Sequence, residues 1–199
     1  MKKVNLFLVD ARNLKFKDLD VFSFSNEEKT VIDRLKIETS KIEKAVSFLL
    51  KRKFVGDYSL NEYGKPISKD KYFNVSHSKG IVAIALSEYP IGLDLELIRP
   101  YRESLKTLIC NDIENEYIKS SEDFYKVWTS KESLVKCIGT GFKCNLKAIP
   151  ALPLEGRKEY SGKTYSAKAL KINNIAISLT LETNQEFNIE LTDLKIEDL

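Results

Sequence analysis

Hydrophobic residues recur at two different periods along this chain. Val4 to Val9 is a short β-branched and aromatic run that suits a strand. Leu35, Ile42, Val46 and Leu49 then recur at helical spacing and leave Lys41, Lys44 and Lys51 off the stripe. Ser25-Asn26-Glu27-Glu28 has capping-box spacing and Gly56 supplies a terminator, so a helix is predicted between them. Tyr63-Gly64-Lys65-Pro66 reads as a turn, because Gly accepts positive φ and Pro fixes its own. Phe73 to Val75 and Ile81 to Leu86 read as strands, the second apolar on both faces and hence buried, joined by a loop Ser76-His77-Ser78-Lys79-Gly80.

Tyr89-Pro90 interrupts the chain before another strand, Ile91 to Leu97. Past Pro100, residues 104–119 are predicted helical but poorly patterned. Ser121 starts a better helix, with an apolar face of Phe124, Val127, Trp128, Leu134, Val135 and Ile138, and Gly139 closes it. From Lys143 to the end the pattern is β-rich, notably at Tyr165 to Leu170, Ile175 to Leu181 and Phe187 to Leu191. Both parts run helix first and strands after. This predicts an α+β fold of two similar α/β halves, residues 1–89 and 90–199, although no residue-level repeat is visible.

Composition narrows the class. With 43% hydrophobic and 31% charged residues, 199 residues can bury a sizeable core, and no low-complexity tract argues for disorder. A net charge of +3 falls well short of the basic field expected of a nucleic-acid binder. The N-terminal apolar run ends at Asp10 and Arg12, too early for a signal segment or a membrane span. Cys110, Cys137 and Cys144 form no CxxC pair and leave one thiol over in any disulfide scheme, which suits a reducing cytoplasm. His77 is the only histidine, so clustered histidine ligands for zinc are excluded.

The residues with chemistry lie in three stretches. In Ile91-Gly92-Leu93-Asp94-Leu95-Glu96-Leu97 the strand period places Gly92, Asp94 and Glu96 on one face. Two carboxylates side by side repel, and a hard divalent cation between them would relieve that repulsion. Gly92 beside them is expected to leave room for a ligand. A wet polar strand face gives the same pattern.

Glu132, Thr129 and Lys136 border the apolar stripe of the later helix, where Glu132 and Lys136 also suit a surface i,i+4 pair. Lys131 falls inside the apolar arc. It has either to snorkel to water or to meet a buried anion. His77, among Asn74, Ser76, Ser78 and Gly80, could help surround a phosphate or simply be solvated.

Taken in order, Phe73-Asn74-Val75-Ser76-His77-Ser78-x-Gly80, Ile91-Gly92-Leu93-Asp94-Leu95-Glu96 and Trp128-Thr129-x-Lys131-Glu132-Ser133-x-x-Lys136-x-x-Gly139-x-Gly141 resemble the 4'-phosphopantetheinyl transferase superfamily. With Tyr63-Gly64-Lys65-Pro66, the resemblance covers roughly residues 63 to 142. Chain length and the two halves look like the monomeric, surfactin-synthetase-activating type. The resemblance implies a pseudo-twofold monomer with its active site in the cleft between the halves. It also implies transfer of 4'-phosphopantetheine from coenzyme A to a serine of an apo acyl or peptidyl carrier protein, releasing 3',5'-ADP.

By motif, Asp94, Glu96 and Glu132 would hold Mg²⁺, for which Mn²⁺ could substitute. Ser76 and His77 would contact coenzyme A phosphates, and Lys131 and Lys136 would face the pyrophosphate. Gly64, Lys65 and Pro66 match the turn that shapes the nucleotide site. Lys44 falls where the family often carries Arg, and an ammonium lacks the guanidinium fork. A family glutamate that receives the serine proton aligns with Glu114, with Glu116 two residues on as the alternative.

Two rivals remain. A metal-dependent nuclease also combines acidic clusters with lysine, but the neighbouring strand lacks an E-x-K element and +3 gives little grip on a polyanion. A coenzyme A binding protein without catalysis would not need all three carboxylates. Neither nucleic acid nor membrane is expected as a partner.

Overall fold

In the computed structural model, which describes residues 2–139 and 145–199, period-two segments form two four-stranded sheets and period-3.6 segments cover their outer faces. The first sheet contains β1 (Lys2–Asp10), β4 (Tyr72–Ser78), β5 (Ile81–Ser87) and β10 (Phe187–Leu194), in the order β10-β1-β5-β4. The second contains β6 (Ile91–Leu97), β7 (Gly156–Tyr160), β8 (Lys163–Ile172) and β9 (Ile175–Leu181), in the order β6-β9-β8-β7 and antiparallel throughout. A small hairpin pairs β2 (Ser59–Leu60) with β3 (Pro66–Ile67).

Alternation decides which faces meet. Val4, Leu6, Leu8, Ala83 and Ala85 of the first sheet share one core with Ile91, Leu93, Leu95, Ile177 and Leu179 of the second. On the opposite face of the first sheet, Val9, Val82 and Ile84 pack with Ile32 of α1 (Asn26–Asp33) and Ile42, Val46 and Leu50 of α2 (Glu38–Phe54). The opposite face of the second sheet carries α5 (Ser121–Ile138). The fold is α+β in four layers, helix, sheet, sheet, helix. The last strand, β10, pairs in parallel with β1, so it lies in the sheet of the first half although it comes from residues 187–194.

Three elements differ from the sequence expectation. The predicted helix after Ser25 is two, because Ile37 takes an extended conformation (φ −97°, ψ 126°) before α2 begins. A straight helix from 26 to 54 would run about 43 Å, well past a nine-residue strand of about 30 Å. The break lets both helices lie on the sheet. The Ser25 capping box with Glu28 is present as predicted.

Residues 104–119 likewise form two short helices, α3 (Glu103–Ile109) and α4 (Asp112–Tyr117), parted by extended Cys110. Ser76, His77 and Ser78 belong to β4 and not to a loop. The hairpin closes on Lys79 and Gly80 alone, at φ 52° and 82°, the doubly positive pair that suits the twist of a two-residue turn. Gly141 of the third motif and Cys144 lie outside the described residues. Among those described, no helix is long and apolar enough to cross a membrane.

Candidate active site

The polar faces of β4 and β6 meet where the two sheets join. The Leu93 amide donates to Asn74 Oδ1 at 3.1 Å and the Leu95 amide to Ser76 Oγ at 3.3 Å. The same strand period then brings Ser76 Oγ 3.0 Å from Asp94 Oδ1 and Ser78 Oγ 2.5 Å from Glu96 Oε2, each hydroxyl donating. The family resemblance makes Ser76 a phosphate contact. The alternation of both serines with Asn74, in step with Gly92, Asp94 and Glu96, was the signal that they instead bind the neighbouring strand.

Asp94 and Glu96 face α5. Gly92 comes so close to that helix that a Cβ would stand 1.8 Å from Ser133 O. The room expected there for a ligand is taken by helix backbone. Hydroxyl pairs fix the register: Thr129 meets Ser178 at 2.8 Å and Ser133 meets Thr180 at 2.7 Å. The helix thereby delivers Glu132 and Lys136 to the carboxylates of β6. Lys136 Nζ donates to Asp94 Oδ1 at 2.7 Å and to Ser76 Oγ at 3.0 Å.

The charges of this cluster are unbalanced. Burial and then repulsion from Asp94 and Glu96 push the Glu132 carboxyl up to about 7, with Lys136 opposing. Glu96 is also raised, by burial and by Asp94, against the Ser78 hydrogen bond. Asp94 Oδ2 and Glu132 Oε1 are buried without a hydrogen-bond partner. Among the described residues no three carboxylate, imidazole or thiol groups are already gathered in a ligating arrangement. The donor set nonetheless fits a hard cation: two orphaned carboxylate oxygens and a third acid, all oxygen, short of positive charge.

This imbalance has a measurable sign. Between its ordinary value of 4.5 and about 7, Glu132 keeps a proton in the folded protein that the unfolded chain has lost. Stability therefore falls as pH rises through that window. In metal-free buffer the fall from this group is expected to be at most about 3 kcal/mol. Urea melts of the wild type and Glu132→Gln should converge at the acid end and separate towards neutrality. Parallel curves would refute this.

Beside the cluster lies a cavity of about 290 Å³, lined by Tyr63, Gly64, Lys65 and Pro66 of the hairpin turn, Asn74 and Val75 of β4, and Glu132, Lys136 and Gly139. The structure thus brings the predicted turn against the third motif. Lys65 itself caps α5, its Nζ donating to the carbonyls of Lys136 at 2.6 Å and Cys137 at 3.0 Å, where the helix dipole favours a cation. A larger groove of about 670 Å³ between Lys3, Phe7, Phe54 and Lys71 holds none of the motif carboxylates.

Two predicted residues are turned elsewhere. Lys131 is 1% exposed and pairs with Glu114 at 2.7 Å while donating to Leu146 O and Ile149 O. It meets a buried anion, but that anion is a carboxylate of this protein and not a pyrophosphate. Burial lowers its proton affinity and Glu114 partly restores it.

Glu114 is also 1% exposed. One of its oxygens accepts from the Asn111 amide in a capping box and faces Lys131; the other accepts from the Ala151 amide. No part of it is open to a serine hydroxyl, so its role as proton acceptor is withdrawn. The alternative, Glu116, is exposed on α4. Nearby, Lys158 donates to Ser130 Oγ at 2.5 Å and to Ala151 O, and burial pushes it down to about 7. These buried groups bind the 145–151 segment to α5.

His77 stands on β4 with its side chain 43% exposed, 3.0 Å from Glu43 Oε2. On α2 it is therefore Glu43 that reaches the imidazole. Lys44, next along the helix, is part-buried, and its charge adds to the burial that pushes Lys51 down to about 8.

Two packed sheets whose seam gathers acids from one strand and one helix define a class, and comparison with known sequences gives it a name. The model of the 4'-phosphopantetheinyl transferase superfamily matches residues 90–186. Over that stretch, just under half of its length, the chain is similar to that superfamily and, within it, to the Sfp type. The 4'-phosphopantetheinyl transferase gsp of Aneurinibacillus migulanus is 39% identical over 90 residues, 41% of this chain and 37% of that protein. The 4'-phosphopantetheinyl transferase Sfp of Bacillus subtilis (strain 168) is 33% identical over 101 residues, 46% of this chain and 45% of that protein. The 4'-phosphopantetheinyl transferase HetI of a Nostoc species is 33% identical over 119 residues, 52% of this chain and 50% of that protein. The chain thus spans between about a third and a half of the length of these relatives.

Proposed function

We propose that this protein transfers 4'-phosphopantetheine from coenzyme A to a serine hydroxyl of an apo acyl or peptidyl carrier protein, releasing 3',5'-ADP. The observation that carries the reading is the convergence of Asp94 and Glu96 with Glu132 and Lys136 at the sheet seam, two carboxylate oxygens left without partners. Asp94, Glu96 and Glu132 would hold Mg²⁺ or Mn²⁺, which when bound neutralises charge developing on the diphosphate.

The protein's own groups do the rest. Lys136, already at the carboxylates, is the ammonium placed to meet the leaving diphosphate. His77 and Lys44 contact phosphates further out, and the Tyr63–Pro66 turn helps shape the nucleotide site. Glu132, one of whose oxygens has no hydrogen-bond partner, is the carboxylate proposed to receive the serine proton, directly or through water. The same reading makes the protein a cytoplasmic monomer of two pseudo-twofold halves, residues 1–89 and 90–199, with the site between them.

Intact-protein mass spectrometry tests the reading. Apo acyl and peptidyl carriers incubated with protein, coenzyme A and Mg²⁺ should each be examined for a gain of one phosphopantetheine, lost on chelation. No gain on any carrier, with coenzyme A binding intact by calorimetry, would leave a binding protein without catalysis.

A further inference from the structure

Glu43 is an acid with no counterpart in the motifs, and it is placed where chance would not leave one. It projects from α2 and is 6% exposed, yet both carboxylate oxygens are used. Oε1 accepts from the Gly80 amide at 2.7 Å and Oε2 faces His77 Nδ1 at 3.0 Å. One carboxylate therefore bridges the imidazole and the backbone of the turn that ends its strand. Burial alone would raise this carboxyl; the hydrogen bonds from His77 and Gly80, with the charges of His77 and Lys79, outweigh that and hold it below its ordinary value.

The turn is held from the other side too. Gly80 O accepts from the Ala11 amide at 2.8 Å, and Arg12 packs so closely that a Cβ on Gly80 would stand 3.1 Å from its side chain. The segment carrying His77 is thus clamped between the end of β1 and α2. An imidazole with nearly half its surface in solvent would otherwise sample several ring orientations and either tautomer. A carboxylate facing Nδ1 selects the ring form with a proton there and points Nε2 outward.

We infer that Glu43 is a positioning residue: it fixes the tautomer and orientation of His77 so that Nε2 is presented to a phosphate-bearing ligand. The inference rests on the reading of His77 as a coenzyme A phosphate contact. It gives Glu43 no contact with the ligand itself.

Because His77 is the only histidine, ¹⁵N-histidine labelling gives one imidazole to follow without any activity assay. In the free wild type the proton is expected on Nδ1, and in Glu43→Ala that state should be lost to a mixture favouring Nε2. Coenzyme A affinity by calorimetry should fall about tenfold or more in Glu43→Ala, by analogy with the loss when a group that orients a metal-ligating histidine is removed. His77→Ala should fall at least as far, and the double variant no further than His77→Ala alone. Glu43→Gln, which can keep an acceptor on Nδ1, should recover part of the loss.

If His77→Ala binds coenzyme A like the wild type, the phosphate-contact reading fails and this inference with it. If His77→Ala is weakened but Glu43→Ala keeps both its affinity and the Nδ1 proton, the inference alone fails. Losses that add in the double variant would also overturn it, since they would make Glu43 act independently of His77.

Discussion

Asp94→Asn is expected to slow the proposed phosphopantetheine transfer by about a thousandfold while the protein remains folded. Asp94 is the residue through which every part of the proposed centre is connected. Its Oδ1 takes hydrogen bonds from Ser76 and Lys136, its Oδ2 is buried without a partner, and its charge adds to the burial that raises both Glu132 and Glu96. Asparagine keeps the shape and one acceptor oxygen but removes the charge and turns the other position into a donor. Losing one preorganised charge from a site sheltered from water typically costs 10²- to 10³-fold in rate, or about 3 to 4 kcal/mol.

Much of that loss should come from metal retention, so Mg²⁺ titration should show the variant needing far more cation for what turnover remains. Removing the charge should also release its neighbours: Glu132 and Glu96 should titrate lower than in the metal-free wild type. Single-turnover rates at saturating coenzyme A, carrier and Mg²⁺ measure the main effect. A variant transferring within tenfold of wild type would remove Asp94 from the centre.

The parts of this molecule legible in the sequence are those in which a local pattern suffices. The strand over Val4 to Val9, the alternation that turns Asp94 and Glu96 to one side, the Ser25 capping box and the Gly139 terminator all follow from spacing within a few residues. What the sequence concealed was set by a partner distant along the chain. Lys131 in an apolar stripe announced a buried anion, but only the folded chain brings Glu114 to it across the α4–α5 connection. The family resemblance makes Glu114 the proton acceptor because it aligns with a glutamate of the family. Its true signal was Asn111 three residues earlier, which makes it the closing residue of a capping box.

Glu43 lies on the buried side of α2 among Ile42, Ala45 and Val46, where an acid without a visible partner should have raised the question of what it meets. The answer lies 34 residues away in His77. The break between α1 and α2 was hidden for a different reason. The apolar period continues through it in register, and only the finite length of the sheet underneath forces the chain to turn.

Gly92→Ala is expected to be the most disruptive single-methyl change in the protein's described residues that the geometry identifies. Sequence suggested that Gly92 makes space beside the carboxylates for a ligand, whereas it makes space for α5. An alanine Cβ would stand 1.8 Å from Ser133 O, 2.4 Å from Cys137 N and 2.9 Å from Ser133 C. All three are backbone atoms of one helix, so no side-chain rotation relieves the overlap. Strand and helix must separate by more than an ångström.

That separation would pull apart the Ser133–Thr180 and Thr129–Ser178 contacts and open the layer containing Leu134 and Val135. Overpacking a tight site usually costs about 1 to 3 kcal/mol, and a clash with fixed backbone belongs at or beyond the upper end, about 4 kcal/mol or more. Against a total stability of about 5 to 15 kcal/mol, the melting temperature should fall by about 10 °C or more, or the protein should fail to accumulate in soluble form. Gly64→Ala provides the contrast: nothing lies within 4 Å of its added Cβ, and only its φ of +81° opposes the substitution, so a loss near 1 kcal/mol is expected. Thermal melts of the two variants side by side decide the matter. If Gly92→Ala melted within a few degrees of wild type, or no lower than Gly64→Ala, the close seating of β6 on α5 would be wrong, and with it the placement of Glu132 and Lys136 against Asp94.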